Sequence, residues 1–174
     1  LIANLMANCH YNVEGLRFDY YTNKFNADAV DQLRKDQIQR IRSQEPSNTF
    51  IVLDHTFCHS GTSTSPFVRQ LFEDSRLFHT SLFIAITQPL ELSHSGLRDN
   101  VDYIFILRTN SDAESSRKRL YDRFIPQDVS FETFNELMDK YTTGSYGSIV
   151  VNTRTRKLFH YTFAIPTVNR SNLK

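Results

Sequence analysis

Residues 26–43 carry apolar positions at helical spacing. Val30, Leu33, Ile38 and Ile41 fall on one stripe, and Asp31, Lys35, Gln39 and Arg42 fall on the opposite face. Asn26 or Asp28 stands where an N-cap belongs, and Pro46, Ser47 and Asn48 end the pattern. TFIVLD at 49–54 is a continuous apolar run rich in β-branched residues, which predicts a strand buried on both faces. Ser65-Pro66 predicts the start of a second helix, with Ser as cap and Pro at the first helical position. Phe67, Val68, Leu71, Phe72 and Ser75 form its stripe.

Residues 82–87 (LFIAIT) and 103–107 (YIFIL) predict a second and a third buried strand. The Ser111 to Glu114 segment is a capping box opening a helix to about Phe124. Ser130 caps another helix, whose face carries Phe131, Phe134, Leu137, Met138 and Tyr141. Gly144 and Gly147 make the turn into a strand at 148–152 (SIVVN), and a last strand follows at 157–164 (KLFHYTFA). Arg154 to Lys157 sit at a hairpin between these two. Strands alternating with helices predict an α/β fold, with helices layered on a largely parallel sheet and a C-terminal antiparallel edge hairpin.

Composition narrows the classes without choosing among them. The 174 residues fit one domain, and no Pro/Gly/Ser-rich linker or internal repeat divides them. We read a single domain over residues 1–166 and a tail over 167–174. Apolar residues are 40%, charged residues 22%, with only five Gly and five Pro, which excludes collagen-like and wholly disordered chains. No apolar run approaches the ~20 residues of a membrane span. The net charge of +1 makes no general electrostatic case for a nucleic-acid partner. Cys9 and Cys58 form no disulfide framework, which fits a reducing compartment or indifference to redox. Residues 1–10 lack the basic flank and long apolar stretch of a signal peptide. The chain opens at Leu1 and reads as cut at its start.

In open α/β sheets ligands bind beyond the carboxyl ends of the strands, so the strand ends carry the candidate chemistry. The first buried strand ends in Asp54. A carboxylate there is a recurrent holder of Mg²⁺ beside a nucleotide, because the ion prefers oxygen ligands and keeps most of its water. The plain alternative is a helix cap or turn residue. The second strand ends Thr87-Gln88-Pro89. A Gln there can orient an attacking water or sense a γ-phosphate, or it can be a solvent-facing loop residue.

TFIVLD, FEDSRLFHTSLFIAITQP, GLRDNVDYIFILR, SSRKRLY, SFETF, YTTGSYGSIVVN and HYTFA follow one another from about Phe50 to Ala164. Over that span the chain resembles the genome-packaging ATPases of nucleocytoplasmic large DNA viruses, in the FtsK/HerA group of P-loop NTPases. The densest match is LR-x-N-VDYIFILR at 97–108, which is not a generic nucleotide-binding pattern. The resemblance implies part of a RecA-like core and an ATPase motor that pumps double-stranded DNA into a capsid. It implies ATP and Mg²⁺ as cofactors, self-association into a ring, and contact with capsid vertex or portal components. The expected location is the viral factory in the infected cell's cytoplasm, or the virion. Carried over by position, Asp54 matches the Walker B Asp that holds Mg²⁺ through water, and Gln88 matches the γ-phosphate sensor. Arg98 matches the Arg of the LR-x-N motif, and Arg76 an Arg that precedes the sensor strand. Either Arg fits an arginine finger reaching a neighbouring subunit's nucleotide, and either fits a structural ion pair or a helix C-terminal partner.

Two positions depart from that pattern. The family places a second acid directly after the Walker B Asp, where this chain has His55. A neutral imidazole acts as a base at pH 7 but supplies no negative field. The phosphate-binding loop G-x-x-x-x-G-K-[ST] is absent, and the sequence contains no Gly-Lys dipeptide. In the family that loop lies upstream of the Walker B strand, so the chain reads as a fragment whose residues 1–48 lie between the loop helix and that strand. The intact protein is then an ATPase, and this chain alone is expected to be inactive.

Other constellations stay open beside this one. A non-catalytic α/β interaction module derived from such an ATPase would also lack the loop and the second acid. A metal-dependent nuclease or phosphoesterase would use Asp54, His55 and His59. His55, Cys58 and His59 are close enough for a shared metal, but no second Cys/His pair completes a tetrahedral set. Nothing in the sequence supplies partners that would make Cys58 a nucleophile. Arg117, Lys118, Arg119 and Arg123 form a basic stretch diluted by Asp112, Glu114 and Asp122, which fits a solvated helix face, DNA or a neighbouring subunit. The 14 Phe and 8 Tyr fall mostly on apolar stripes and read as core.

Overall fold

The computed structural model describes residues 2–4, 21–22, 26–45, 48–54, 66–86, 97, 99–108, 114–144 and 147–162. The chain divides into two compact units, residues 1–100 and 101–174.

The first unit is built on a four-stranded parallel sheet of order β2-β1-β3-β4. Its strands are β1 (Ile2–Asn4), β2 (Tyr21–Thr22), β3 (Thr49–Asp54) and β4 (Thr80–Ala85). β3 matches the predicted bounds and lies between β1 and β4. Ile51 and Leu53 are fully buried on one face of it, while Phe50 and Val52 on the other are half-buried. β4 runs over 80–85 where 82–87 was expected, and it is not buried throughout. Thr80 is buried and Phe83 is 57% exposed, so its residues alternate between a covered and an open face. A continuous apolar run hides which of its residues the fold will cover. β1 and β2 were not expected: at three and two residues they are too short to show a period.

Helix α1 (Ala27–Arg42) is the helix read at 26–43. Asn26 is its N-cap, with Oδ1 accepting from the Ala29 amide at 3.1 Å. The helix ends before Pro46. Gln44 takes a left-handed conformation (φ 59°), and the Glu45 amide reaches back to the Arg40 carbonyl at 3.0 Å. The buried face of α1 contains a polar residue the apolar stripe did not reveal. Gln37 is 2% exposed and donates its side-chain amide to the Thr49 hydroxyl at the start of β3, which satisfies its polarity. Helix α2 (Pro66–Asp74) contributes Val68 and Phe72 to the core and runs into a short 3-10 helix, Ser75–Phe78. Ser65, the expected cap, lies outside the described residues.

The second unit carries a three-stranded antiparallel sheet of order β5-β6-β7, from β5 (Tyr103–Leu107), β6 (Gly147–Asn152) and β7 (Lys157–Thr162). The expected hairpin of the last two strands is present. The expected membership of 103–107 in one largely parallel sheet is corrected: the described strands form two sheets, and β5 pairs antiparallel with β6, Tyr103 opposite Asn152 and Leu107 opposite Ser148. Helices α3 (Glu114–Phe124) and α4 (Phe131–Tyr141) supply Leu120, Phe134 and Met138 to a core with Ile106, Ile149 and Val151. Ser130 caps α4 as predicted, accepting from the Thr133 amide at 3.2 Å. Residues 111–113 of the proposed capping box lie outside the described residues. The reading of most aromatics as core does not extend to one sheet face. The sheet face carrying Tyr103, Phe105, Phe159 and Tyr161 leaves each of these about half exposed.

Candidate functional site

All strands of the first sheet are parallel, so their carboxyl ends share one edge. Asp54 is the last residue of the central strand and stands at that edge. In register it is flanked by Asn4 of β1 and by Ala85 of β4. Apolar burial on β3 fixes this register: Ile51 and Leu53 must face the core, so Asp54 falls one step past the last buried position. Asn4 was not singled out from the sequence. Its only local signal is the pair Ile2-Ala3 before it, too little to announce a strand.

Gln88 comes three residues after the end of β4 in the sequence and is outside the described residues, as are His55 and Arg98. Cys9, Cys58 and His59 lie outside them too. Among the described residues no cluster of three His, Cys, Asp or Glu is disposed to hold a metal, and no helix is long and apolar enough to cross a membrane.

Arg76 is described, and it stands at the other end of the sheet. It lies in the 3-10 helix that leads into the amino end of β4, and its Nη2 donates to the Asn100 carbonyl at 3.2 Å. The six residues of β4 separate that end from the Asp54 edge by roughly 16 Å. Within one chain Arg76 and Asp54 therefore do not converge. The turn holding Arg76 is well anchored. His79 adopts a left-handed conformation (φ 50°), and its carbonyl accepts from the Thr49 amide at 3.0 Å, joining the starts of β3 and β4. The pocket between α1, α2 and the sheet is lined by Leu33, Leu71 and Phe78 with Thr80. It lies toward this amino end and is not part of the Asp54 edge.

The basic stretch on α3 is partly engaged within its own unit. Arg117 meets Asp139 of α4 at 2.6 Å. Lys118 meets Asp122 at 2.5 Å, with its ammonium 4.8 Å from the ring centre of Tyr121.

No protein-family model matches the chain. It is 30% identical over 106 residues to the uncharacterized protein 088R of Invertebrate iridescent virus 3, a match covering 60% of this chain and 40% of that protein. The chain thus spans well under half of that relative's length. The genome-packaging NTPase B204 of Sulfolobus turreted icosahedral virus 2, in complex with AMPPCP, has a similar structure. Its TM-score is 0.56 at 13% identity, over 94% of this chain and 82% of that one. B204, the DNA-packaging ATPase of Sulfolobus turreted icosahedral virus, gives 0.54 at 9% identity, over 83% of this chain and 67% of that one. At these identities the likeness is one of fold: the chain shares its mixed α/β architecture, with a parallel and an antiparallel sheet, with viral genome-packaging NTPases.

Proposed function

We propose that this chain is part of an ATP-driven double-stranded DNA translocase that packages a viral genome into a capsid. The observation that carries the reading is the place of Asp54. It ends the central strand of a parallel sheet, at the edge where such folds bind ligands, in an architecture shared with packaging NTPases. Asp54, with Asn4 beside it in register, offers the oxygen-bearing residue types that a hydrated Mg²⁺ prefers. The bound ion would neutralise charge developing on the transferring phosphoryl group. Gln88, three residues after β4 in the sequence, is assigned to sensing the γ-phosphate, and His55 to the place of the water-polarising acid.

The separation of Arg76 from Asp54 fits a role between subunits: in a ring, Arg76 or Arg98 of one copy would serve the nucleotide of the next. Residues 1–166 are read as the part of a RecA-like P-loop domain of the FtsK/HerA group that follows the phosphate-binding loop, and 167–174 as a tail. Capsid vertex or portal components are the expected further partners, at the viral factory of the infected cell or in the virion.

The test is Asp54→Ala in the intact protein. ATP hydrolysis should be lost while the circular-dichroism spectrum and thermal transition stay close to wild type. Undiminished turnover would remove the Walker B assignment. A second reading, a non-catalytic module retained for assembly, is favoured by His55 standing in the place of the water-polarising acid. An intact protein that assembles into rings yet turns over no ATP, with or without DNA, would select it.

A further inference from the structure

The β6–β7 connection reads Thr153-Arg154-Thr155-Arg156, followed by Lys157 as the first residue of β7. Three cations therefore fall within four residues at the hairpin end of the three-stranded sheet. All three are exposed, with the Arg154 side chain at 63%. Asp102 is the one carboxylate that pairs with the tip among the described residues, meeting Arg154 Nε at 2.7 Å. Arg156 and Lys157 make no ion pair among the described residues.

The tip is also held rigidly. Asn152 Oδ1 accepts from the amides of Arg154 at 3.1 Å and Thr155 at 3.0 Å. The Thr153 amide donates to the Asp102 carbonyl at 3.0 Å, and the Thr153 hydroxyl shares its one proton between the carbonyls of Val101 and Asp102. Arg156 takes a left-handed conformation (φ 54°), which costs a non-glycine residue conformational energy. Tyr103, across the ladder from Asn152 and 55% exposed, stands on the same sheet face as Lys157.

A fixed loop that crowds like charges gains little for folding. It suits a ligand whose own charge is dense and regular. We propose that this hairpin tip is a contact for the phosphate backbone of double-stranded DNA, with Arg154, Arg156 and Lys157 each facing a phosphate and Tyr103 beside them. The duplex carries about one negative charge per 1.7 Å of axis, so one narrow tip can meet several phosphates. Contacts of this kind are sequence-independent, as a translocase needs. The inference rests on the DNA-translocase reading but not on nucleotide chemistry at Asp54.

The test is binding of a fluorescent mixed-sequence duplex to the full chain over a series of KCl concentrations, without nucleotide. Replacing Arg154, Arg156 and Lys157 together by Gln should flatten the slope of log affinity against log salt by roughly 2 to 3. Arg154→Lys with Arg156→Lys should keep the wild-type slope. Lys157→Gln alone, which removes no ion pair seen among the described residues, should flatten it by roughly 1 and covers the case in which the triple variant unfolds. Unchanged affinity and slope in folded Gln variants would overturn the hairpin assignment and leave the DNA-translocase reading standing. Absence of any duplex binding by the wild-type chain would overturn both.

Discussion

Arg117 on α3 donates to the Asp139 carboxylate on α4 at 2.6 Å, tying together the two helices that cover the antiparallel sheet. That hydrogen bond, reinforced by the charges of Arg117 and Arg108, holds the Asp139 carboxyl below its ordinary value of 3.8. The folded-state value is the depressed one, so the unfolded chain takes up the proton first as pH falls. The stabilisation is complete above the ordinary value and disappears as pH drops through the folded one. Asp139 is mostly exposed, so the effect is small. Asp139→Asn should lower the thermal midpoint slightly at pH 7, and the difference from wild type should shrink as pH falls below the ordinary carboxyl value. Melting curves over a falling pH series check this.

Gly147 opens β6 directly against the end of α4. A Cβ there would overlap the Tyr141 carbonyl, which is backbone and cannot swing aside. Gly147→Ala should therefore force the helix end off the strand and destabilise the chain by about 1–3 kcal/mol, as overpacking does. Gly144→Ala meets nothing within 4 Å and should be far milder. Urea unfolding of the two variants side by side gives the comparison.

Two phenylalanines of the second unit should differ sharply. Phe134 is fully buried among Leu120, Met138 and Ile149, whereas Phe105 is 56% exposed and meets Tyr161 edge-on at 6.2 Å. Phe134→Ala should cost about 3–5 kcal/mol, and Phe105→Ala about 1 kcal/mol or less. Equal losses in chemical denaturation would mean that the outer sheet face is covered in solution.

Thr49→Val replaces a hydroxyl by a methyl of similar size and leaves the buried Gln37 amide without this acceptor. The expected loss is about 0.5–1.5 kcal/mol, the net worth of one intramolecular hydrogen bond. Combining it with Gln37→Leu should recover part of that loss, because both partners are then apolar. A double-mutant cycle measures the recovery.

Nucleotide binding offers an independent check on the absent loop. Without the backbone amides and Lys of a phosphate-binding loop, the 174-residue chain should show no micromolar ATP affinity in calorimetric titration. Such an affinity would mean that the phosphates are held by other residues.

Local pattern alone was enough to locate helix 26–43, strand 49–54, strand 103–107 and the Ser130 cap, each within a residue or so of its place in the fold. Those signals lie in neighbouring residues: a 3.6-residue period, a β-branched run, a hydroxyl where the first helical amides need an acceptor. Asp54 was legible for the same reason, as the polar residue that ends an apolar run. Tertiary structure decided what depends on distant partners. It paired β5 antiparallel with β6, because strand direction is set by which edge is free and not by the strand's own residues. It placed Asn4 beside Asp54, because a three-residue strand exists only through its neighbour's hydrogen bonds. It buried Gln37 and left Phe83, Phe105 and Tyr161 open to water, because the face a residue shows is fixed by what packs against the sheet. It also set Arg76 at the far end of β4 from Asp54, a separation that follows from parallel pairing and that no spacing along the chain could reveal.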